Sequence, residues 1–402
     1  MGDKNMRNVG TVVRGIRTPV IKENSNLEDI VVDSLMKASE TDNFTFHDKD
    51  IVAVTEAVVG IAMGNYVTVD EIAKDIKTKF NTNHIGVVFP ILSRNRFAVL
   101  LSAIARAMDK ITLQISYPSD EVGNDILDKQ KLKESGINPY TDVIDEKTYY
   151  EKFGDFKHIF TGVNMVDFYK DLVKKENCEI EIILANDPKK ILNYEKDVLV
   201  CDIHTRFETK ATLKENSDGI ILGLDDILTS PVDGSGCNEK YGLLGSNRST
   251  EERVKLFPSN AQGLVDNIQR KLYEKTGKTI EVMIYGDGAF KDPVGGIWEL
   301  ADPVVSPYYT KGLEGSPNEI KLKYISDNKF SNLSGEELNE AIKNEIRTKD
   351  SNLKGTIASQ GTTPRRYVDL IGSLCDLTSG SGDKGTPVVY ISGYFDNYSV
   401  DN

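Results

Sequence analysis

The chain has 402 residues, enough for two or more domains or one large elaborated one. Its 39% hydrophobic and 28% charged content is that of an ordinary globular protein, and its net charge of −13 argues against nonspecific nucleic-acid binding. The longest apolar stretch, Phe97 to Met108, is interrupted by Ser102 and Arg106 and is too short to span a bilayer. The N-terminus lacks the apolar core of a secretory signal, and the four scattered cysteines have no metal-site or redox spacing, so a cytoplasmic location with reduced thiols is expected.

In chain order, Val9 to Ile21 reads as a strand and turn. A capped helix follows from about Asn26 to Ala38, with Glu28 and Asp29 suited to its N-terminal dipole. Asp50 to Gly60 reads as one buried strand, and Val69 to Phe80 as a helix. Residues 84–195 differ in character. They hold an apolar helix (Arg96 to Met108), a strand at Ile111 to Ile115, a polar Tyr-rich stretch, and an alternating strand at Glu179 to Leu184. This segment is expected to be an inserted mixed α/β subdomain. Strands then recur at Val198 to Cys201 and Gly219 to Leu222, before a Gly-rich loop from Thr229 to Gly245. A helix spans Ser259 to Thr276 and a strand Thr279 to Ile284. The charged excursion at 311–356 carries a helix near Ser334 to Arg347. A final helix, Pro364 to Leu377, leads through a Gly/Ser loop to a strand at Pro387 to Gly393.

The segment Tyr285 to Glu299 is dense in glycine and carboxylate and follows a strand directly. Asp287 therefore sits at a strand's C-terminal end, where open α/β architectures place ligands. Gly286 and Gly288 leave room for a phosphate or metal, although Gly/Asp pairs are also the ordinary chemistry of turns. No histidine pair has zinc spacing, and neither a Gly-x-Ser-x-Gly elbow nor a phosphate-binding P-loop appears. Arg94, Arg96 and Arg106 read first as helix-surface charge. Ser93 to Arg96 also precedes a helix and offers guanidinium groups to a phosphate or carboxylate.

Three separated blocks resemble the deazaflavin coenzyme F-420 gamma-glutamyl ligases. They are Gly15 to Lys22 with Asp50 to Asn65, Leu244 to Thr250 continuing to Asp287, and Asp369 to Gly380 with Gly385 to Val389. They occur in family order and cover roughly half the chain. The resemblance implies an α+β, gamma-glutamyl-ligase-like composite core built from 1–83, 196–310 and 357–402. The segments 84–195 and 311–356 would be elaborations on it. It implies a ligase that uses GTP (or ATP) with Mg or Mn. A carboxylate acceptor is activated as an acyl phosphate, which the amine of an amino acid attacks. Carried over by position, Gly15, Arg17, Pro19, Glu56, Ser249, Thr250, Ser381, Gly382 and Gly385 would contact the nucleotide. Asp287, Asn247, Asp292 and Asp383 would hold the metal. No nucleic acid or membrane partner is implied, and a homodimer is expected.

The sequence departs from the family at two charged positions. A metal-binding aspartate is Asn247, and a phosphate-facing lysine is Ile61. The alternatives are therefore a catalytically silent relative that binds ligands or regulates, and a hydrolase acting through Asp287, Asp292 and Glu299.

Overall fold

The computed structural model describes residues 9–158, 161–287, 303–362, 365–380 and 382–400, with the backbone alone at 290–291 and 298–299. The expected ligands Asp292 and Ser381 lie outside the described residues, as does the side chain of Glu299.

Four strands distant in sequence form the central sheet. They are β1 (Val12–Ile16), β2 (Ile51–Thr55), β12 (Glu281–Tyr285) and β16 (Val388–Ser392), with β15 (Tyr308–Tyr309) at the edge. The order is β1-β16-β2-β12-β15. Strand β16 is antiparallel to both of its neighbours, while β2 and β12 run parallel. Every residue of β2, β12 and β16 is buried. Such strands read as continuous apolar runs because helices cover both faces. On one face, Val52, Val54, Val282, Ile284 and Tyr390 pack against α1 (Leu27–Asp42) and the helix Gln262–Thr276. On the other, Ile51, Ala53, Met283 and Ile391 meet Val368, Ile371 and Cys375 of the helix Tyr367–Thr378. Asn26 caps α1 by accepting the Asp29 N–H at 3.3 Å.

The run expected as one strand from Asp50 to Gly60 divides. The strand stops at Thr55, and α2 (Glu56–Ala62) follows. A short apolar run does not distinguish strand from buried helix by periodicity, and here it supplies both. The small sheet β10-β11-β3 joins Tyr66–Thr68 (β3), Asn247–Arg248 (β10) and Arg253–Lys255 (β11). Helix α3 (Val69–Phe80) begins with a reciprocal capping box between Thr68 and Glu71. Strands β13 (Phe290–Lys291) and β14 (Trp298–Glu299) pair as a hairpin.

The second large sheet is doubly wound. Its parallel strands are β4 (His84–Val88), β5 (Lys110–Ile115), β7 (Glu179–Leu184), β8 (Val198–Val200) and β9 (Ile221–Gly223). The short antiparallel β6 (Ile144–Asp145) lies at one edge, giving β6-β7-β5-β4-β8-β9. The chain therefore starts in the middle at β4, winds outward through β5 to β7, and returns to the other side through β8 and β9. The boundary expected at residue 195 falls inside this sheet, between β7 and β8. Helix α4 (Phe97–Ala107) and α3 cover one face, where Leu100, Leu101 and Ile104 join Val87, Ile111 and Leu113. Among the described residues, no helix is long and apolar enough to cross a membrane.

A buried carboxylate pins β16 to the start of β2. Asp50, 2% exposed, accepts the Tyr390 hydroxyl and, at 2.7 Å, the His47 N–H. Tyr390 itself stacks on Phe44 at 4.9 Å between ring centroids. Replacing Tyr390 with Phe keeps the ring and removes the donor. We expect the variant to lose about 1.5–3 kcal/mol of stability, the scale of one hydrogen bond to a charged group, as measured by chemical denaturation.

Candidate functional site

The direction of the central strands brings distant segments to one edge of the sheet. Strands β1, β2 and β12 end there, and β16 begins there. The Thr55 N–H donates to the Pro387 carbonyl at 2.9 Å, and the Thr18 N–H to the Gly385 carbonyl at 3.2 Å. Ser379 closes the C-terminal loop by donating to the Thr386 carbonyl at 2.7 Å. Gly15 eases this approach, since a Cβ on it would crowd the Ser379 hydroxyl at 3.1 Å.

Between the β1 turn, the C-terminal half of α1 and this loop lies a cleft of about 990 Å³. Gly15, Arg17 and Pro19, the expected N-terminal nucleotide contacts, line it with Ser379, Lys384 and Thr386. Gly385 reaches it through the bond to Thr18. Gly382 and Asp383 are exposed in the same loop. Sequence reasoning did not single out Lys37, which α1 supplies, or Lys384. Arg14, Arg17, Lys37 and Lys384 face a single acid, Asp42, in this lining. The cleft is thus basic within a protein of net charge −13. Arg14 is steadied by the Phe44 ring, 4.7 Å from its guanidinium carbon.

The other expected site residues fall elsewhere. Glu56, at the head of α2, is 4% exposed and does not line the cleft. It pairs at 3.4 Å with Lys255, which β11 supplies from beneath. Ser249 and Thr250 form an exposed turn, both donating backbone N–H groups to the Arg253 carbonyl at 2.9 and 3.0 Å. Asn247 pairs with Lys255 across β10 and β11. Gly245 before it has φ +70°, and a Cβ there would meet the Phe257 ring at 2.6 Å, so the entry to this loop requires glycine.

Asp287 follows β12, one strand beyond β2, so roughly 10 Å of sheet separates its strand from β16. Its carboxylate accepts from the Arg96 guanidinium at 2.6 Å. The charge sequence reasoning assigned first to a helix surface is thus engaged at the expected acidic turn. Arg106 also proves more than surface charge: it joins Asp70, Glu176 and Glu252 at 2.8–3.0 Å. A hard divalent cation needs several oxygen ligands. Among the described residues, Asp287 is one carboxylate and is already paired with a guanidinium, which falls short of that ligand set. Among the described residues, no group of three His, Cys, Asp or Glu is placed to hold one.

The doubly wound sheet ends in buried acids. Asp120 accepts the Leu92 N–H at 2.7 Å, and Glu121 accepts the N–H groups of Ile203 and His204, so the loops after β4, β5 and β8 are tied together. Burial pushes the Asp120, Glu121 and Asp202 carboxyls above their ordinary range, with these hydrogen bonds opposing the rise. Burial likewise raises the Cys201 and Cys375 thiols, which suits inert packing.

Two measurements follow from these groups. A carboxyl whose folded pKa is raised stabilises most below its unfolded value, and that stability fades as pH rises through the folded value. Asp202→Asn should therefore gain on the wild type in melting temperature as pH rises from about 4, the ordinary carboxylate range, toward neutrality; a flat difference across thermal melts would contradict the burial argument. Separately, Lys255→Met removes the cation facing buried Glu56 and should cost up to about 3–5 kcal/mol, whereas the double variant with Glu56→Gln should recover much of it. Denaturant titrations of the four proteins close that cycle.

The family profile described as F420-0:Gamma-glutamyl ligase matches residues 15–393, from within β1 to just past β16. No curated protein matches the chain. With a match spanning nearly the whole chain, the protein belongs to the F420-0:gamma-glutamyl ligase family.

Proposed function

We propose that the protein is a nucleotide-dependent ligase that joins an amino acid to a carboxylate acceptor, with the nucleoside triphosphate in the basic cleft. The observation that carries this reading is the cleft itself. Residues from β1, α1 and the C-terminal loop, far apart in sequence, concentrate four cationic side chains against one acid. A polyphosphate is the ligand such a lining suits. Family membership supports the ligase class.

In the proposed reaction, an acceptor carboxylate oxygen attacks the terminal phosphorus and the nucleoside diphosphate leaves. The amine nitrogen then attacks the acyl carbon, the C–O bond to phosphate breaks, and the nitrogen's proton passes to solvent. The protein's contribution is positioning and charge neutralisation. Arg17, Lys37 and Lys384 would hold the phosphates, while Ser379 and Thr386 keep the loop closed over them. Mg or Mn belongs to this proposal as a counter-ion arriving with the nucleotide, and a homodimer as its assembly state.

Lys384→Ala should weaken GTP binding about tenfold, near 1.4 kcal/mol, with little change in fold. Calorimetric titration with GTP and with ATP measures this and identifies the base. Equal affinity in variant and wild type would place the nucleotide elsewhere. GTP binding without phosphate release in the presence of amino acids and small carboxylic acids would favour the silent relative.

A further inference from the structure

We infer that Arg14 and Ser34 form a carboxylate subsite in the basic cleft, separate from the three cations assigned to phosphate. The inference rests on the ligase reading only for what bears the carboxylate, the amino acid or the acceptor. In that reading Arg17, Lys37 and Lys384 have a task, and all three are exposed. Arg14, the fourth cation of the lining, has none. The cleft's volume of about 990 Å³ lies at the upper end of ligand sites, which leaves room beside a nucleotide.

Arg14 is a cation partly withdrawn from water. It comes from β1, is half-buried, and lies over the Phe44 ring. Its Nη1 is buried and has no hydrogen-bond partner. Among the described residues its guanidinium makes no ion pair and no hydrogen bond at all. Asp42, the one acid of the lining, is exposed and pairs with none of the four cations. A buried donor with neither water nor an acceptor is costly, and a ligand that brings the acceptor accounts for it.

A second observation comes from the wall that α1 supplies. Ile16 of β1 shares one core with Val31 and Leu35 of α1, so the two elements meet beside the cleft. Ser34 lines it from α1, is 8% exposed, and its hydroxyl makes no hydrogen bond among the described residues. A helical serine ordinarily turns its hydroxyl to the carbonyl one turn back. Every other hydroxyl of the lining is engaged within the protein. Thr18 donates to the Pro19 carbonyl at 2.9 Å, Thr41 to that of Ala38 at 3.3 Å and Thr378 to that of Leu374 at 2.6 Å, while Ser379 and Thr386 meet each other. A carboxylate accepts two guanidinium N–H groups along one edge and keeps lone pairs for a hydroxyl. One guanidinium also balances its single charge, whereas a polyphosphate calls for the cluster of Arg17, Lys37 and Lys384.

The test is thermal melting of the full chain, with and without GTP, titrated with three probes. They are L-glutamate, glutarate (the same two carboxylates without the amine) and inorganic phosphate, with chloride at matched ionic strength as control. L-Glutamate or glutarate should raise the melting temperature saturably. Arg14→Lys keeps the charge and loses the fork, and should need about tenfold more ligand for the same rise, the scale of one charge-assisted contact. Ser34→Ala should weaken the effect too, yet melt without ligand no lower than the wild type, since it gives up no hydrogen bond. GTP affinity, measured by calorimetry on the same samples, should move no more than about twofold in either variant, as for independent sites. A rise with L-glutamate alone assigns the amino acid's carboxylate; a rise that glutarate also gives assigns an acid recognised without its amine. No rise with either acid overturns the inference, as does a rise with equal ligand dependence in the wild type and both variants. A rise with phosphate alone, or a tenfold loss of GTP affinity in Arg14→Lys, makes Arg14 a phosphate contact and overturns it as well. GTP bound with neither acid acting sinks the subsite alone. An acid-dependent rise that the variants weaken, with GTP unbound, sinks the ligase reading and leaves the subsite standing.

Discussion

The pairing of β16 with both β1 and β2 is the constraint on which the rest depends. Ten residues of the C-terminal and N-terminal strands lie in one register, from Val12 opposite Ser392 to Ile16 opposite Val388. On its other side β16 holds β2, and β2 holds β12. Without β16, β1 has no place in the sheet, and the Gly15 turn loses the loop it packs against. The cleft is a product of that pairing, since its two long walls belong to opposite ends of the chain.

Charge is distributed unevenly over this frame. The chain as a whole is acidic, yet some of its cations gather at particular places. Four line the cleft, and two arginines flank the first turn of α4. Acids elsewhere on the central sheet are engaged: Asp50 by Tyr390, Glu56 by Lys255, Asp287 by Arg96. Buried carboxylates are costly unless paired or hydrogen-bonded, and the buried Asp50 and Glu56 both have partners.

Much of the α+β fold was legible because the strongest periodic segments carry their own boundaries. Helix α3 has a capping box at its start and follows the expected span, Val69 to Phe80. Strand β16 shows its β-branched run, and β7 forms where expected although its burial rises along the strand instead of alternating. What was not legible depended on tertiary pairing. Val198–Val200 looks like any short buried strand, and nothing in its three residues says that it joins β4 rather than the central sheet. Glu56 is flanked by apolar residues on both sides, with only Thr55 and Glu56 itself marking the passage from strand to helix. In the site, Gly15, Arg17 and Pro19 were legible through resemblance, because glycine and proline mark backbone geometry. Lys37 was not, because a lysine on the outer stripe of an amphipathic helix is indistinguishable in sequence from one that faces only water. Arg96 carried an ambiguous signal, and only the approach of β12's end to α4 resolves which partner it takes.

The pairing of β1 with β16 also sets an order of assembly. Val12 and its partner Ser392 are 380 positions apart (392 minus 12). During synthesis at roughly 5–20 residues per second, β1 waits unpaired while everything between is made. The doubly wound sheet, by contrast, takes its strands from the contiguous span 84–223 and can close early. Contacts of such unequal range favour a sequence in which the parallel unit folds first and the central sheet last. The nascent chain must therefore keep β1 from other strand edges until its C-terminal partner arrives.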